Sequence, residues 1–179
     1  VARWHAGGCV GGWERLVDDA QVLAGGGRLV GGRADVAVGE VWGECVGGVR
    51  GAGVGVVVAT TTVSRADPDR LRQLLENLLA NAVEHGGADV TVRVGVDVGG
   101  ATGFYVEDDG DGIPEAKREQ VFEKGYSGAD TGTGFGLAIV ERIVDAHGWS
   151  IRATAGSDGG ARFEITGVEP AGAAVAADE

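Results

Sequence analysis

A chain of 179 residues, 44% of them hydrophobic, has room for one domain with a real core plus flanking material, and is too apolar for wholesale disorder. The formal net charge of −12 argues against nonspecific attraction to nucleic acid or an anionic membrane surface. The longest apolar run, around Val54 to Thr62, is far too short to span a bilayer.

Cys9 and Cys45 are isolated, with no CxxC and no histidine at metal-ligand spacing, which fits a reducing compartment and not a zinc site. Arginine dominates the 15 basic residues, with lysine only at Lys117 and Lys124. Dispersed carboxylates with arginine over lysine suit concentrated salt, where screening is short-ranged; a GC-rich genome encoding an acidic protein gives the same composition. Glycine, 35 residues in all, is concentrated before residue 56, which raises the entropy cost of ordering that third. No signal peptide is evident, and the start at Val1 without methionine fits a fragment whose upstream part could include membrane spans.

Trp13, Leu16, Val17, Ala20, Leu23 and Ala24 recur at helical spacing and stop at Gly25. A glycine-weakened helix is expected from about Gly39 to Arg50, and a β-branched strand from Val54 to Val63. The clearest helix start follows, with Asp67 as N-cap and Pro68 at the first helical position; that helix runs to His85 and ends at Gly86 and Gly87. Val90, Val92, Val94, Val96 and Val98 alternate with polar residues and glycine, as in a half-buried strand, and Gly99-Gly100 turns the chain into a strand from Thr102 to Glu107. A short helix over about Glu115 to Lys124, a helix from Phe135 to His147, and a hairpin of Ser150–Ala155 with Ala161–Thr166 complete the order. Helices beside antiparallel hairpins define an α+β sandwich, with the helices on one face of the sheet.

Three segments carry candidate chemistry. On the Asp67–His85 helix, Gln73, Asn77, Asn81 and Glu84 fall together beside a leucine stripe. Asparagine is a poor interior helix residue, so two of them one turn apart are either satisfied rim groups or amides that serve a ligand, the oxygen for Mg²⁺ and the NH₂ for a phosphate. Asp108 stands where a strand runs out, followed by Gly110 and Gly112. That is an ordinary Gly/Asp turn, or one carboxylate for an exocyclic amine with glycines that let backbone approach a flat ring. Asp109 and Asp111 are expected to face solvent. Gly132, Thr133, Gly134, Phe135, Gly136 and Leu137 lead into a helix whose N-terminus can accept phosphate oxygens, although neither a Walker loop nor a dinucleotide fingerprint is present.

In this order the segments resemble the catalytic ATP-binding domain of sensor histidine kinases, in the ATPase superfamily shared with type II topoisomerases, MutL and heat-shock chaperones. Leu74 to His85 matches the family's N box, Asp108 to Gly112 its first glycine box, Val121 to Glu123 its F box, and Gly132 to Val140 its second glycine box. The resemblance covers roughly residues 34–166 and is closest to kinases of halophilic archaea.

It implies a two-layer α/β sandwich of Bergerat type, with helices on one face of a mixed, mostly antiparallel sheet. Residues 1–27 would be the remnant of a second dimerisation helix, 34–168 the catalytic ATP-binding domain, and 169–179 a loose acidic tail. By position, the catalytic pair would be Asn77 and Asn81, with Asn81 on the Mg²⁺ that bridges the phosphates and Asn77 supporting phosphate contact. Asp108 would bind the adenine amine, with Gly110 and Gly112 lining the base. Lys124, Gly132, Thr133, Gly134, Gly136 and Leu137 would serve the triphosphate, under a lid of about residues 115–133. The implied activity is transfer of the ATP γ-phosphoryl group to a histidine on a dimerisation domain, for relay to a response regulator. The implied setting is a homodimeric, cytoplasmic or membrane-anchored full-length protein, without nucleic acid and without membrane contact by this segment.

The chain departs from the pattern in places. The ATP-hydrolysing branches carry a base, glutamate, where this chain has Asn77, and Glu76 points about 140° away from Asn81. His5, His85 and His147 all lack the acceptor-helix context; since Trp13 to Ala24 resembles the end of the second dimerisation helix, the acceptor helix would lie upstream of Val1. Glu84 stands where many relatives carry a lysine near the phosphates, a loss for which Lys124 could compensate. Two rivals are a non-catalytic ATP-binding interaction module and a superfamily ATPase; Asn77 counts against the second.

Overall fold

The computed structural model describes residues 22, 30–47, 55–58, 63–87, 89–96, 98–123 and 135–171. The elements run β1 (Ala34–Ala37), α1 (Val38–Gly47), β2 (Gly55–Val58), β3 (Val63–Ala66), α2 (Pro68–Gly86), β4 (Thr91–Gly95), β5 (Gly103–Asp108), α3 (Gly136–His147), β6 (Ser150–Ala155) and β7 (Ala161–Thr166). The expected helix over Trp13–Ala24 lies outside the described residues apart from Val22, which is buried in the core.

Five strands form one sheet in the order β2-β4-β5-β7-β6, antiparallel except for the parallel β2–β4 pair. The side-chain period of two then sorts the residues by face. Val92, Val94, Val106, Phe104, Phe163 and Ile165 join the core with the leucines of α2 and with Ile139, Val140, Ile143 and Val144 of α3. Leu71, Leu74 and Leu75 are wholly buried, and each such side chain contributes roughly 1.5–3 kcal/mol by leaving water. Arg93, Tyr105, Glu107, Arg162, Glu164 and Arg152 occupy the register positions of the opposite face. The two-layer α+β architecture is therefore the one the residue pattern implies.

Three details differ from the sequence reading. The β-branched run Val54–Val63 is not one strand: β2 belongs to the large sheet, whereas β3 pairs antiparallel with β1 in a separate two-stranded sheet. The expected helix after Pro114 is two 3₁₀ turns, Glu115–Lys117 and Gln120–Phe122; the segment has too few apolar side chains to pack a longer helix. Within it, Val121 and Phe122 are buried, with Phe122 edge-on to Phe163, so the first part of the expected lid is anchored in the core. The expected tail also starts later than Glu169: Arg65 N–H donates to the Glu169 carbonyl (2.9 Å) and Ala171 N–H to the Val63 carbonyl (2.9 Å).

Candidate functional site

Helix α2 is fixed at its start by Asp67, whose Oδ1 accepts from the N–H groups of Asp69 (3.0 Å) and Arg70 (3.2 Å). Its leucine stripe faces the core, which leaves Asn77 and Asn81 half-buried on the rim. Asn77 Nδ2 donates to the Gln73 carbonyl one turn back (2.8 Å). Its Oδ1 then abuts the first residue of α3, because a Cβ on Gly136 would lie 3.2 Å from that oxygen. Among the described residues no side chain caps α3, and its first turn carries no acidic residue. Its leading N–H groups are therefore oriented toward any anion that settles there. Leu137 follows Gly136, half-buried, within that turn.

At the other end of α2, Gly110 packs on the helix terminus so closely that a Cβ would be 2.6 Å from Gly86 Cα. Asp108, 8% exposed, closes β5 on the core side of the sheet, opposite Val92, while Asp109 and Asp111 are exposed as expected. The Asp108 Oδ1 accepts from the N–H groups of Gly110 (2.9 Å) and Ala161 (3.2 Å). Both bonds fall on Oδ1, so among the described residues Oδ2 accepts none. Burial raises the Asp108 pKa, against the lowering effect of those two N–H groups. Gly112 has a φ of 73°, which a side chain rarely tolerates, and its missing Cβ keeps it clear of the Gly159 carbonyl.

Two contributors escaped the sequence reading. Gly160 lies flat on Asp108, where a Cβ would sit 2.0 Å from the Asp108 carbonyl oxygen, and Ala161 supplies the second N–H. Both were legible only as a hairpin turn. Lys124, Gly132, Thr133 and Gly134 lie outside the described residues. His85 ends α2 exposed, whereas His147 is buried, stacked on Trp149 at 4.2 Å.

The structure thus brings two stations together along one helix. From Asn77 to Gly86 the rise is roughly 14 Å, with a helix N-terminus at one end and a buried carboxylate with close-packed glycines at the other. That span is comparable to the length of an extended nucleoside triphosphate.

Comparison with known proteins agrees. Residues 66–169 match the family described as histidine kinase-, DNA gyrase B-, and HSP90-like ATPase. The chain belongs to this family. Among curated relatives, the circadian input-output histidine kinase CikA of Synechococcus elongatus is 40% identical over 111 residues, covering 58% of this chain and 15% of the relative. The sensor-type histidine kinase PrrB of Mycobacterium tuberculosis is 34% identical over 115 residues, covering 63% of this chain and 26% of the relative. The chain therefore spans about a quarter or less of the curated relatives it matches. Among solved structures, the mycobacterial sensor histidine kinase MprB superposes with a TM-score of 0.64 at 28% identity, covering 77% of this chain and 97% of that one. Full-length ShkA, solved in complex with AMPPNP, gives 0.70 at 26% identity, covering 88% of this chain and 36% of that one.

Proposed function

We propose that this domain binds ATP and presents its γ-phosphate to a histidine on a dimerisation domain, as the catalytic part of a two-component sensor histidine kinase. The observation that carries the reading is the pairing, at opposite ends of α2, of Asp108 with an Oδ2 unengaged among the described residues and the α3 N-terminus, which no described side chain caps. The relatives named above are histidine kinases, and ShkA was solved with an ATP analogue.

In this reading Asp108 Oδ2 accepts from the adenine amine, and Gly110 and Gly112 let the ring lie against backbone. Asn77 and the leading N–H groups of α3 fix the triphosphate, together with Gly132, Thr133, Gly134, Gly136, Leu137 and Lys124. The donor set fits Mg²⁺: an amide oxygen from Asn81 beside phosphate oxygens is hard-cation chemistry, and the ion when bound neutralises phosphate charge. Catalysis is by positioning and charge neutralisation, with no covalent intermediate on this domain. With Asn77 where a base would stand, water is not activated and the phosphoryl group goes to an acceptor side chain.

The whole protein is proposed as a cytoplasmic or membrane-anchored homodimer that passes the phosphoryl group to a response regulator. Residues 1–27 would be the remnant of its second dimerisation helix and 34–168 the catalytic domain, with the tail following the paired segment Glu169–Ala171. No helix among the described residues is long and apolar enough to cross a membrane. The net charge of −12 and the dominance of arginine support work in concentrated salt and the resemblance to haloarchaeal kinases.

The test is calorimetric titration with Mg²⁺ and ATP in high salt. Binding by the wild type that Asp108→Asn and Asn81→Ala sharply weaken supports the reading. A folded wild type that binds no ATP overturns it.

A further inference from the structure

Asp108 and its neighbour Glu107 point to opposite sides of β5, one to the core and one to the outer face of the sheet. Glu107 is nonetheless only 4% exposed. Its Oε1 accepts from Arg93 Nη1 (2.7 Å) and Ser157 Oγ (2.9 Å), and its Oε2 from Arg162 Nη1 (3.2 Å). Arg93 also reaches Asp158 Oδ2 at 3.6 Å. Two successive residues of the β6–β7 turn are thus tied to one buried carboxylate and its arginine.

The far side of the same turn lies on the base station. The turn is closed by Gly156 N–H to the Gly160 carbonyl (2.7 Å), which stacks both glycines on the Asp108 backbone. The next N–H, that of Ala161, is one of the two that hold Asp108 Oδ1. The Gly159 carbonyl meets Gly112 in the glycine box itself.

We propose that Glu107, acting through Ser157 and Arg93, is a positioning residue for base recognition: it holds the Gly156–Gly160 turn against Asp108 and so fixes which carboxylate oxygen is left for the nucleotide. This rests on the reading of Asp108 as the adenine contact. A carboxylate with one oxygen held by two N–H groups cannot rotate, so Oδ2 has one direction in which to accept. Adenine offers an amine there, whereas guanine offers a carbonyl oxygen that a fixed acceptor repels. Releasing the turn frees the carboxylate and weakens both affinity and the preference for adenine.

The experiment uses Ser157→Ala and Ser157→Thr in the full chain, since Ser157 is exposed and its truncation leaves the core intact. Amide hydrogen exchange at Ala161 is read without nucleotide, and calorimetry follows ATP, ADP and GTP. Ser157→Ala is expected to raise Ala161 exchange and to weaken ATP and ADP alike by about three- to tenfold, the effect of one net hydrogen bond. The ATP-to-GTP preference should narrow, and Ser157→Thr should restore all three readouts. Wild-type exchange at Ala161 in the Ser157→Ala protein overturns the proposal, whatever the nucleotides do. A wild type that binds neither ATP nor ADP defeats the nucleotide reading instead, and with it the positioning role.

Discussion

The backbone N–H of Asp67 donates to Nε2 of His147 at 3.1 Å, across 80 residues of sequence. That bond fixes the tautomer: Nε2 accepts, so the proton sits on Nδ1 and is donated to the Ile143 carbonyl at 2.8 Å. The start of the helix bearing the asparagines is thus stitched to the end of the helix bearing the second glycine box. Asp67 Oδ2 also accepts from Gly31 N–H (2.6 Å), and Arg33 Nη2 donates to the His147 carbonyl (2.7 Å).

This junction should be sensitive to acid. Burial lowers the His147 pKa below its ordinary value, with Arg33 adding to the effect and Asp67 opposing it. The unfolded chain takes up the proton first, so stability is full above about pH 6.5 and falls as the pH drops toward the lowered folded value. Denaturant melts at pH 7.5 and 5.5 should show this loss in the wild type and a smaller one in His147→Phe.

Asp108→Asn should abolish nucleotide binding without weakening the empty fold. The folded state raises the Asp108 pKa, chiefly through burial, so keeping the group ionised costs stability at neutral pH. Asparagine retains an oxygen for the Gly110 and Ala161 N–H groups. Thermal melts without nucleotide should place the variant at or above the wild type at pH 7, with the gain shrinking as the pH falls.

Gly160→Ala should cost stability, because the added methyl meets the Asp108 carbonyl, a backbone group that cannot swing away. Overpacking of this kind costs about 1–3 kcal/mol. Gly43→Ala provides the opposite sign: the site is exposed within α1 and an added Cβ meets nothing within 4 Å, so helix propensity alone should stabilise by about 0.5–1 kcal/mol. Chemical denaturation of the pair reads both.

Cys45 should be inert in the native state. Burial first, then Glu76, raises its thiol pKa to about 11, so thiolate is scarce at pH 8. In a Cys9→Ser background, an alkylating reagent should label the protein slowly when folded and rapidly once denatured.

Much of the site was legible because its signals are local. Asp67-Pro68 announces a helix start by capping chemistry, the leucine stripe sets which face the asparagines border, and the strand that runs out at Asp108 before a Gly/Asp turn separates it from the exposed Asp109. What the sequence hid depends on partners far along the chain. The run Val54–Val63 contains no turn residue that would mark its division between two sheets, apart from Gly55 at its start. Four residues, Ala34–Ala37, are too few for alternation to announce β1. Glu107 reads locally as one more polar strand residue, and only the register with Arg93 and Arg162 shows it to be a hub.

Strand β3 has a neighbour on either side: β1 on one edge, and on the other the segment Glu169–Ala171, bridged through Ser64 and Pro170. The incoming and outgoing chain are therefore held about two strand spacings apart, roughly 10 Å, at a single small sheet. Because Val36 and Ala66 of this sheet share one core with the leucines of α2, a pull between the flanking segments would load these few ladder bonds in shear and pass directly to the helix that carries Asn77 and Asn81.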